Sequence, residues 1–423
     1  MDHPGPTPPL VPRRALDAVN TALSESRVVL VQGARQAGKS TLVRLIAQAR
    51  GGARTYTLDD QDLRRAADAD PKGFVESSGL LVIDEVQRSP ELLLAIKMAV
   101  DTDPRPGQYL LTGSSRVLSM RSVPDTLPGR MQTVELWPFS QGEIDSTPDG
   151  FVAAAFRHGD RLRHESSFTR RDYAARLVRG GFPEAVARPT PASARRFLTD
   201  YLDTLLEREV TEIAEVAHLP QLRQLVGALA ARSGGLLVLD PIARDLQIAP
   251  ATVRRYLGLL EEVFVVKRIP AWSRNLNTRA VATPKVVLVD SGVAAAVLAQ
   301  DEASLLEPAN PGLGPLTEGF VAAELLRQLS WLEEPIVLRH YRTRHQVEVD
   351  LVLEHARGQV VAVEVKGGAS VGAGALRGLR HLADRLGDQF RVGIVLYAGQ
   401  QTLSFGPKLL AMPISALWQL SAD

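Results

Sequence analysis

Eight consecutive residues carry the clearest chemistry in this chain, because a glycine, four further residues and then Gly-Lys-Ser follow an apolar run at 28–31. The residues of this loop are Gly33, Ala34, Arg35, Gln36, Ala37, Gly38, Lys39 and Ser40. Glycines let such a loop turn its backbone N–H groups toward phosphate, while the lysine supplies a positive charge and the serine hydroxyl can ligate Mg²⁺. Thr41 opens the following helix, whose N-terminal end adds positive character. The loop therefore predicts binding of a nucleoside triphosphate. The alternative is a glycine-rich turn that arose by chance.

Two carboxylates end a second apolar run, which has the character of a buried strand in a parallel sheet. This segment resembles a Walker B element, in which Asp84 holds Mg²⁺ and Glu85 polarises the attacking water as general base. The alternative is a strand end with solvated acids.

A third apolar run, at 109–112, is followed by small hydroxyl residues. In a doubly wound sheet, Ser114 or Ser115 would then lie beside the γ-phosphate as a polar sensor.

Three strands in this order, each ending in one of these motifs, resemble the AAA+ division of P-loop ATPases over residues 15–145. More narrowly, the chain resembles the bacterial and archaeal AAA ATPases that carry a C-terminal DUF4143 region. The narrower resemblance rests on four segments, at 111–115, 127–130, 136–140 and 180–184. It implies an α/β fold with a doubly wound parallel sheet, ATP as the nucleotide with Mg²⁺, and ATP hydrolysis.

The resemblance also implies roles for single residues. Lys39, Glu85 and Ser114 fill catalytic positions of the family. Arg130 lies where the family places an arginine that reaches a neighbour's γ-phosphate, which would make hydrolysis depend on self-association into a ring, usually a hexamer. Pro183 resembles the proline of a Gly-x-Pro lid segment that lies against the adenine. The alternatives are a surface or intrachain ion pair for Arg130 and a plain turn at Pro183.

A helix-turn-helix pattern lies between residues 219 and 266. An apolar helical face at 222–229, a short helix at 241–246 and a third helix from Thr252 precede two apolar strands, which together suggest a winged variant. In such a module the exposed face of the third helix enters the major groove. The candidate DNA contacts are Arg244, Thr252, Arg254 and Arg255. Basic residues outnumber acidic ones around them, which suits a phosphate backbone, but winged helices also serve as plain interaction modules.

The C-terminal part contains an aspartate, a hairpin and then Glu-x-Lys, which is the arrangement of the PD-(D/E)xK nuclease fold. Glu364 and Lys366 share one face of a strand, and Asp350 on the adjacent strand can oppose them. The two carboxylates could hold Mg²⁺ while Lys366 activates water for phosphodiester attack. An upstream helix supplies a further glutamate, for which Glu318 is favoured over Glu324. The alternative is a buried ion-pair cluster in a degenerate nuclease fold.

The composition fits a protein with two or three cored domains, since 423 residues are 45% apolar and 23% charged. The absence of cysteine excludes disulfides and thiolate zinc sites. The Pro-rich start lacks a basic-then-apolar signal, and no apolar stretch approaches the roughly 20 residues of a membrane span. We therefore expect a cytoplasmic protein with no membrane partner. The formal net charge of +1 argues neither for nor against nucleic acid.

We expect a tail and four domains. They are a Pro-rich tail at 1–14, an AAA+ ATPase core at 15–147, a helical lid at 148–215, a winged helix-turn-helix at 216–305 and an α/β restriction-endonuclease-like DUF4143 domain at 306–423. The expected function is ATP-driven remodelling or translocation of DNA, duplex or branched, with Mg²⁺-dependent cleavage as a further activity. The alternative is a regulatory or interaction protein, controlled by its nucleotide state, whose nuclease-like domain is catalytically silent.

Overall fold

The computed structural model describes the chain in five stretches, 10–115, 127, 129–213, 218–273 and 282–422, with the side chains of 212 and 213 left out. Residues 1–9 of the predicted tail and Pro128 of the family motif lie outside the described residues. The chain divides into two units, Met1–Pro138 with Glu262–Phe264, and Phe139–Glu261 with Val265–Asp423. None of the helices in the described stretches is both long and apolar enough to cross a bilayer.

Five short strands form the sheet of the first unit. They are β1 (Val28–Gln32), β2 (Arg54–Thr57), β3 (Leu81–Asp84), β4 (Tyr109–Gly113) and β5 (Met131–Glu135). All neighbours pair in parallel, in the order β2-β3-β4-β1-β5. The inner strands β1, β3 and β4 are buried on both faces, which explains why their sequences are continuous apolar runs. The predicted parallel α/β sheet is confirmed.

Helices cover both faces of this sheet. They are α1 (Ala15–Glu25), α2 (Lys39–Arg50), α3 (Gln61–Ala69), α4 (Pro71–Val75) and α5 (Leu92–Thr102), with a 3₁₀ turn at Val86–Arg88. Successive strand residues point to opposite faces. Val28 and Leu30 therefore pack in one core with α5, whereas Val29 and Val31 pack in the other core with α1 and α2. This covering leaves the loops at the carboxyl ends of the strands free to form a site.

The first half of the second unit consists mainly of helices. They are α6 (Gln141–Asp145), α7 (Phe151–His158), α8 (Arg170–Arg179), α9 (Pro183–Ala187), α10 (Pro191–Thr204), α11 (Val210–Ile213), α12 (Leu219–Ala230), α13 (Leu239–Asp245) and α14 (Pro250–Glu262), with a 3₁₀ turn at Gly159–Arg161 and a π-helical turn at Leu205–Glu209. Strands β6 (Val266–Ile269) and β7 (Lys285–Leu288) then form an antiparallel pair. The segment from α12 to β7 is the one predicted as a winged helix-turn-helix, and its assignment to that fold stays a prediction.

A mixed six-stranded sheet forms the second half of this unit. Its strands are β8 (Ile336–Arg342), β9 (Glu348–His355), β10 (Val360–Lys366), β11 (Phe390–Tyr397), β12 (Leu403–Ser404) and β13 (Leu409–Pro413). The order is β12-β13-β11-β10-β9-β8, with β8, β9 and β10 antiparallel and β10, β11 and β13 parallel. The helices are α15 (Ser291–Val297), α16 (Glu302–Leu306), α17 (Leu313–Trp331), α18 (Arg377–Leu386) and α19 (Ala416–Gln419), with 3₁₀ turns at Ala373–Leu376 and Gly387–Gln389.

Helix α17 buries polar side chains that connect it to earlier parts of the second unit. Glu324 accepts a hydrogen bond from the backbone N–H of Gln141 at 3.0 Å, and Gln328 accepts one from the first turn of α7, also at 3.0 Å. Arg327 pairs with Glu324 at 2.6 Å and with Asp290 at 3.5 Å. Buried polar groups are stable only when they are paired. The packing is therefore continuous across the domain boundary predicted near residue 306.

Candidate functional site

The loop between β1 and α2 requires glycine at two positions. A side chain at Gly33 would overlap the carbonyl oxygen of Leu136. Gly38, which caps α2, has a φ of 98°, in the left-handed region that glycine adopts at little cost. Glycine at these two positions lets the loop pass close to Leu136 and turn directly into the N-terminus of α2. Such a loop presents backbone N–H groups to an anion.

Lys39 lies buried inside the loop. Its ammonium donates to the carbonyl oxygens of Gly33 and Ala34, both at 3.0 Å. Burial lowers the pKa of Lys39, and the nearby carboxylates of Glu85 and Asp84 oppose that shift. A buried positive charge at the start of a helix is suited to hold phosphate oxygens.

Asp84 and Ser40, the two predicted Mg²⁺ ligands of the first unit, are brought together. The Ser40 hydroxyl donates to Oδ1 of Asp84 at 3.1 Å, and the Thr112 hydroxyl donates to the same oxygen. Burial raises the pKa of Asp84, and these two hydrogen bonds oppose the shift. A carboxylate and a hydroxyl from adjacent elements are oxygen ligands of the kind that Mg²⁺ takes. Thr112 is a site residue beyond those predicted from the sequence, and its only signal there is a hydroxyl at the end of an inner strand.

Glu85 is held in a fixed orientation after β3. Its φ of 57° lies in the left-handed region, and its N–H donates to the Thr112 hydroxyl at 2.9 Å. Its side chain accepts hydrogen bonds from Ser114 and from Gln87. Burial acts to raise the pKa of Glu85, but Lys39 and these two hydrogen bonds outweigh it and lower the pKa. Glu85 is therefore ionised at neutral pH, as a general base must be.

Arg13 is a further contact of the loop that sequence analysis assigned to the tail. Its guanidinium donates to the carbonyl oxygen of Ala37 at 2.7 Å and to that of Trp137 at 2.6 Å. Both acceptors are backbone groups, so no pattern of side chains could reveal them. Arg13 connects the phosphate-binding loop to the segment that follows β5.

We expect Arg13→Ala to weaken ATP binding about tenfold, because loss of a charged hydrogen bond costs about 1.5 kcal/mol or more and frees the loop. Calorimetric titration with a non-hydrolysable ATP analogue measures the effect. Arg14→Ala, which removes the same charge at an exposed neighbour, is the control and should bind as the native chain does. Equal affinity for the native chain and Arg13→Ala would show that the loop keeps its shape without this contact.

Arg130 and Pro183 are the two residues whose predicted roles rest on the family resemblance. The guanidinium of Arg130 forms a two-point ion pair with Asp101 of α5, in which Nη2 donates to Oδ2 at 3.2 Å. This is the intrachain pairing that sequence analysis held as the alternative. Pro183 is the first residue of α9, in the second unit. The roles of Arg130 toward a neighbour and of Pro183 toward adenine stay predictions.

The four candidate DNA contacts lie on α13 and α14. Arg244, Arg254 and Arg255 are exposed, and Thr252 is half-buried. The opposite face of α14 is buried, as its apolar spacing predicts. An exposed basic face on a packed helix is compatible with a groove contact, but nucleic-acid binding by these residues stays a prediction.

The predicted C-terminal acids have a lysine among them that sequence analysis did not select. The ammonium of Lys285 lies 3.1 Å from Oδ1 of Asp350, 3.1 Å from Oε1 of Glu348 and 4.0 Å from Oε2 of Glu318. The other oxygen of Asp350 accepts the N–H of Val365 at 3.0 Å. A lysine opening an otherwise apolar buried strand was the one available signal. Glu324 lies elsewhere, in the polar contacts of α17.

Glu364 and Lys366 pair with each other at 2.9 Å, while Oε2 of Glu364 is buried without a hydrogen-bond partner. Burial, and then the charge of Asp350, raise the pKa of Glu318 to about 8 and that of Glu364 to about 7. In the described stretches, no three side chains of His, Cys, Asp or Glu are arranged to hold a metal ion. The metal site expected of Glu318, Asp350 and Glu364 stays a prediction, and one of its three carboxylates, Asp350, already pairs with the Lys285 ammonium.

The phosphate-binding loop after β1, the paired carboxylates after β3 and the parallel sheet define a P-loop nucleotide-binding fold of the AAA+ class. The family model described as "AAA domain" matches residues 25–145. Two models described as domains of unknown function match later segments, DUF8612 at 170–304 and DUF4143 at 313–417.

Two curated mycobacterial proteins are related to this chain over most of its length. The chain is 30% identical over 358 residues to "Uncharacterized protein Rv2008c" of Mycobacterium tuberculosis and to "Uncharacterized protein Mb2031c" of Mycobacterium bovis, covering 84% of this chain and 74% of each relative. The chain therefore belongs to this family of AAA+ ATPases with a C-terminal DUF4143 region. The resemblance found from sequence motifs is confirmed.

Solved structures similar to this chain include the Thermotoga maritima RuvB Holliday junction branch migration motor, at 17% identity and a TM-score of 0.29, covering 62% of this chain and 90% of that one. AMPPCP-bound DnaA from Aquifex aeolicus is 16% identical at a TM-score of 0.30, covering 59% and 86%.

Proposed function

We propose that this protein is an ATPase that binds ATP with Mg²⁺ and hydrolyses it. The observation that carries the proposal is the convergence of Lys39, Ser40, Asp84 and Glu85 at the carboxyl ends of β1 and β3. These side chains supply a cation for the phosphates, two oxygen ligands for Mg²⁺ and an ionised base. Membership of the AAA+ family supports the same reaction.

Each residue of the site has a separate role in the proposed reaction. Lys39 exchanges its two carbonyl partners for phosphate oxygens, since its ammonium already lies inside the loop. Ser40 and Asp84 would hold Mg²⁺, which neutralises charge on the phosphates when bound. Glu85 takes a proton from the attacking water, and the Ser114 hydroxyl keeps that carboxylate in place. In this proposal Arg130 leaves Asp101 to act on a neighbouring subunit, so hydrolysis requires assembly into a ring.

The DNA-binding part of the proposal rests on the exposed arginines of α13 and α14. Arg244, Arg254 and Arg255 extend from helices whose opposite faces are buried, which leaves the guanidinium groups available to phosphates. We take duplex or branched DNA as the partner, with ATP turnover driving its remodelling or translocation. The second candidate, a nucleotide-controlled interaction protein, is favoured by the ion pairs that Lys285 forms among the C-terminal acids.

ATP hydrolysis measured in Mg²⁺ with single-stranded, duplex, forked and four-way DNA tests the proposal. We expect one DNA shape to stimulate hydrolysis, and Lys39→Ala to abolish the activity. Binding should weaken steeply with salt, because each phosphate contact releases counterions. Replacing all three arginines by alanine should lower the slope of log affinity against log salt by about 3.

Arg196→Ala removes an exposed arginine from α10 and is the matched control, with the native salt slope expected. If hydrolysis is the same with and without every DNA and none binds at low salt, the DNA part fails and the interaction protein is favoured. If no ATP is hydrolysed under any of these conditions, the ATPase proposal itself fails.

A further inference from the structure

Lys285 is the most deeply buried charge in the C-terminal acid cluster. Only 1% of the residue is exposed, and its ammonium lies 3.1 Å from both Asp350 and Glu348. It belongs to β7, before the region matched as DUF4143, whereas the acids belong to β9 and α17 within that region. The carboxylates of one segment are thus neutralised by a cation from another.

Asp350 and Glu348, the two carboxylates nearest to the Lys285 ammonium, already have partners. Asp350 uses one oxygen for Lys285 and the other for a backbone N–H. Glu348 lies between Lys285 and Arg342, whose guanidinium donates to it at 2.9 Å. Glu364 uses one oxygen for Lys366, and its other oxygen is buried without a hydrogen-bond partner. A divalent ion bound by Asp350 and Glu348 would need the oxygens that Lys285 already holds, at about 2.0–2.6 Å and next to an ammonium of like charge.

The backbone of Lys285 is fixed on both sides. It pairs with Ile269 in the β6–β7 ladder and forms a further antiparallel bridge with Leu236. Withdrawing the side chain would leave the buried carboxylate of Asp350 without its ion-pair partner, which is strongly destabilising. We therefore expect the Lys285 ammonium to stay beside Asp350 whenever this unit is folded.

We propose that the Lys285 ammonium is the resident cation of this acidic site and takes the place of a divalent metal ion, so that the site neither binds metal nor cuts nucleic acid. The proposal rests on geometry in the second unit and does not depend on ATP hydrolysis. In this proposal the C-terminal region holds no metal ion. Its acids instead form the ion pairs that connect β7 to the mixed sheet.

Binding of Mn²⁺ alone, without nucleotide, tests this inference by electron paramagnetic resonance on the full chain. Lys285→Met should bind one more Mn²⁺ per chain than the native protein, because removing the ammonium frees Oδ1 of Asp350 and Oε1 of Glu348 beside Oε2 of Glu318. The added site should be lost in the double variant Lys285→Met, Asp350→Asn. Lys267→Met, at a half-buried lysine of β6, is the control for removing a lysine and should bind as the native chain does.

The native chain provides a second test if Lys285→Met does not fold. We expect the native protein and Glu318→Gln to bind the same number of Mn²⁺ ions and to leave end-labelled DNA intact. Mn²⁺ binding or DNA cleavage that Glu318→Gln removes would overturn the proposal. A folded Lys285→Met variant that gains no Mn²⁺ would overturn it as well. Because no measurement uses ATP, failure here is distinguishable from failure of the ATPase proposal.

Discussion

Glu85→Gln is expected to bind ATP with native affinity and to hydrolyse it about 100- to 10,000-fold more slowly, the range that a general base contributes. Glutamine matches glutamate in shape and retains an oxygen for the Ser114 hydroxyl, so the site should keep its form. It cannot take a proton from water. Phosphate release in Mg²⁺, together with calorimetric ATP titration, separates the two effects.

Glu91→Gln is the matched control, since this exposed glutamate lies just before α5 and outside the site. Its hydrolysis rate should equal that of the native chain. Retention of more than about a tenth of native turnover by Glu85→Gln would contradict the assignment of this carboxylate as the base, because a general base contributes at least about 100-fold.

Lys39→Ala is expected to lower ATP affinity about 10- to 100-fold, since a hydrogen bond to a charged group contributes about 1.5–3 kcal/mol. Hydrolysis should fall below detection, because the same ammonium stabilises charge on the transferred phosphoryl group. Removing the buried ammonium also relieves an unfavourable burial, so the variant should fold. Titration with ATP and a thermal unfolding curve measure both results.

Arg44→Ala, on the exposed face of the same helix, is the control for this variant and should bind ATP normally. An unchanged ATP affinity in Lys39→Ala would remove the central support for the phosphate-binding role of the loop. Loss of affinity accompanied by unfolding would instead assign Lys39 a structural role.

The residues that sequence analysis found are those whose chemistry is local. Lys39 and Ser40 stand in one continuous motif, and Asp84 and Glu85 end a recognisable strand. Thr112 lies inside the family segment at 111–115, but its contact with Asp84 arises only when β4 lies beside β3.

The position of Lys285 among the C-terminal acids could not be predicted from the sequence. The charged residues of the C-terminal region are detectable from the sequence because Glu364 and Lys366, two positions apart, lie on the same face of one strand. The cation is 65 residues earlier in the chain than Asp350, and only tertiary folding brings the two together. The ion pair of Lys285 with Asp350 is what a buried ion-pair cluster requires, while the metal site stays a prediction.

The polar contacts of α17 bear on how such a chain can evolve. The backbone N–H of Gln141 finds its acceptor in Glu324, and the first turn of α7 finds one in Gln328, far along the sequence. A recombination event that brought in a C-terminal region without Glu324, Arg327 and Gln328 would leave both donors without these acceptors and Asp290 without Arg327. We therefore expect exchange of this region to be tolerated only where the incoming helix supplies equivalent partners.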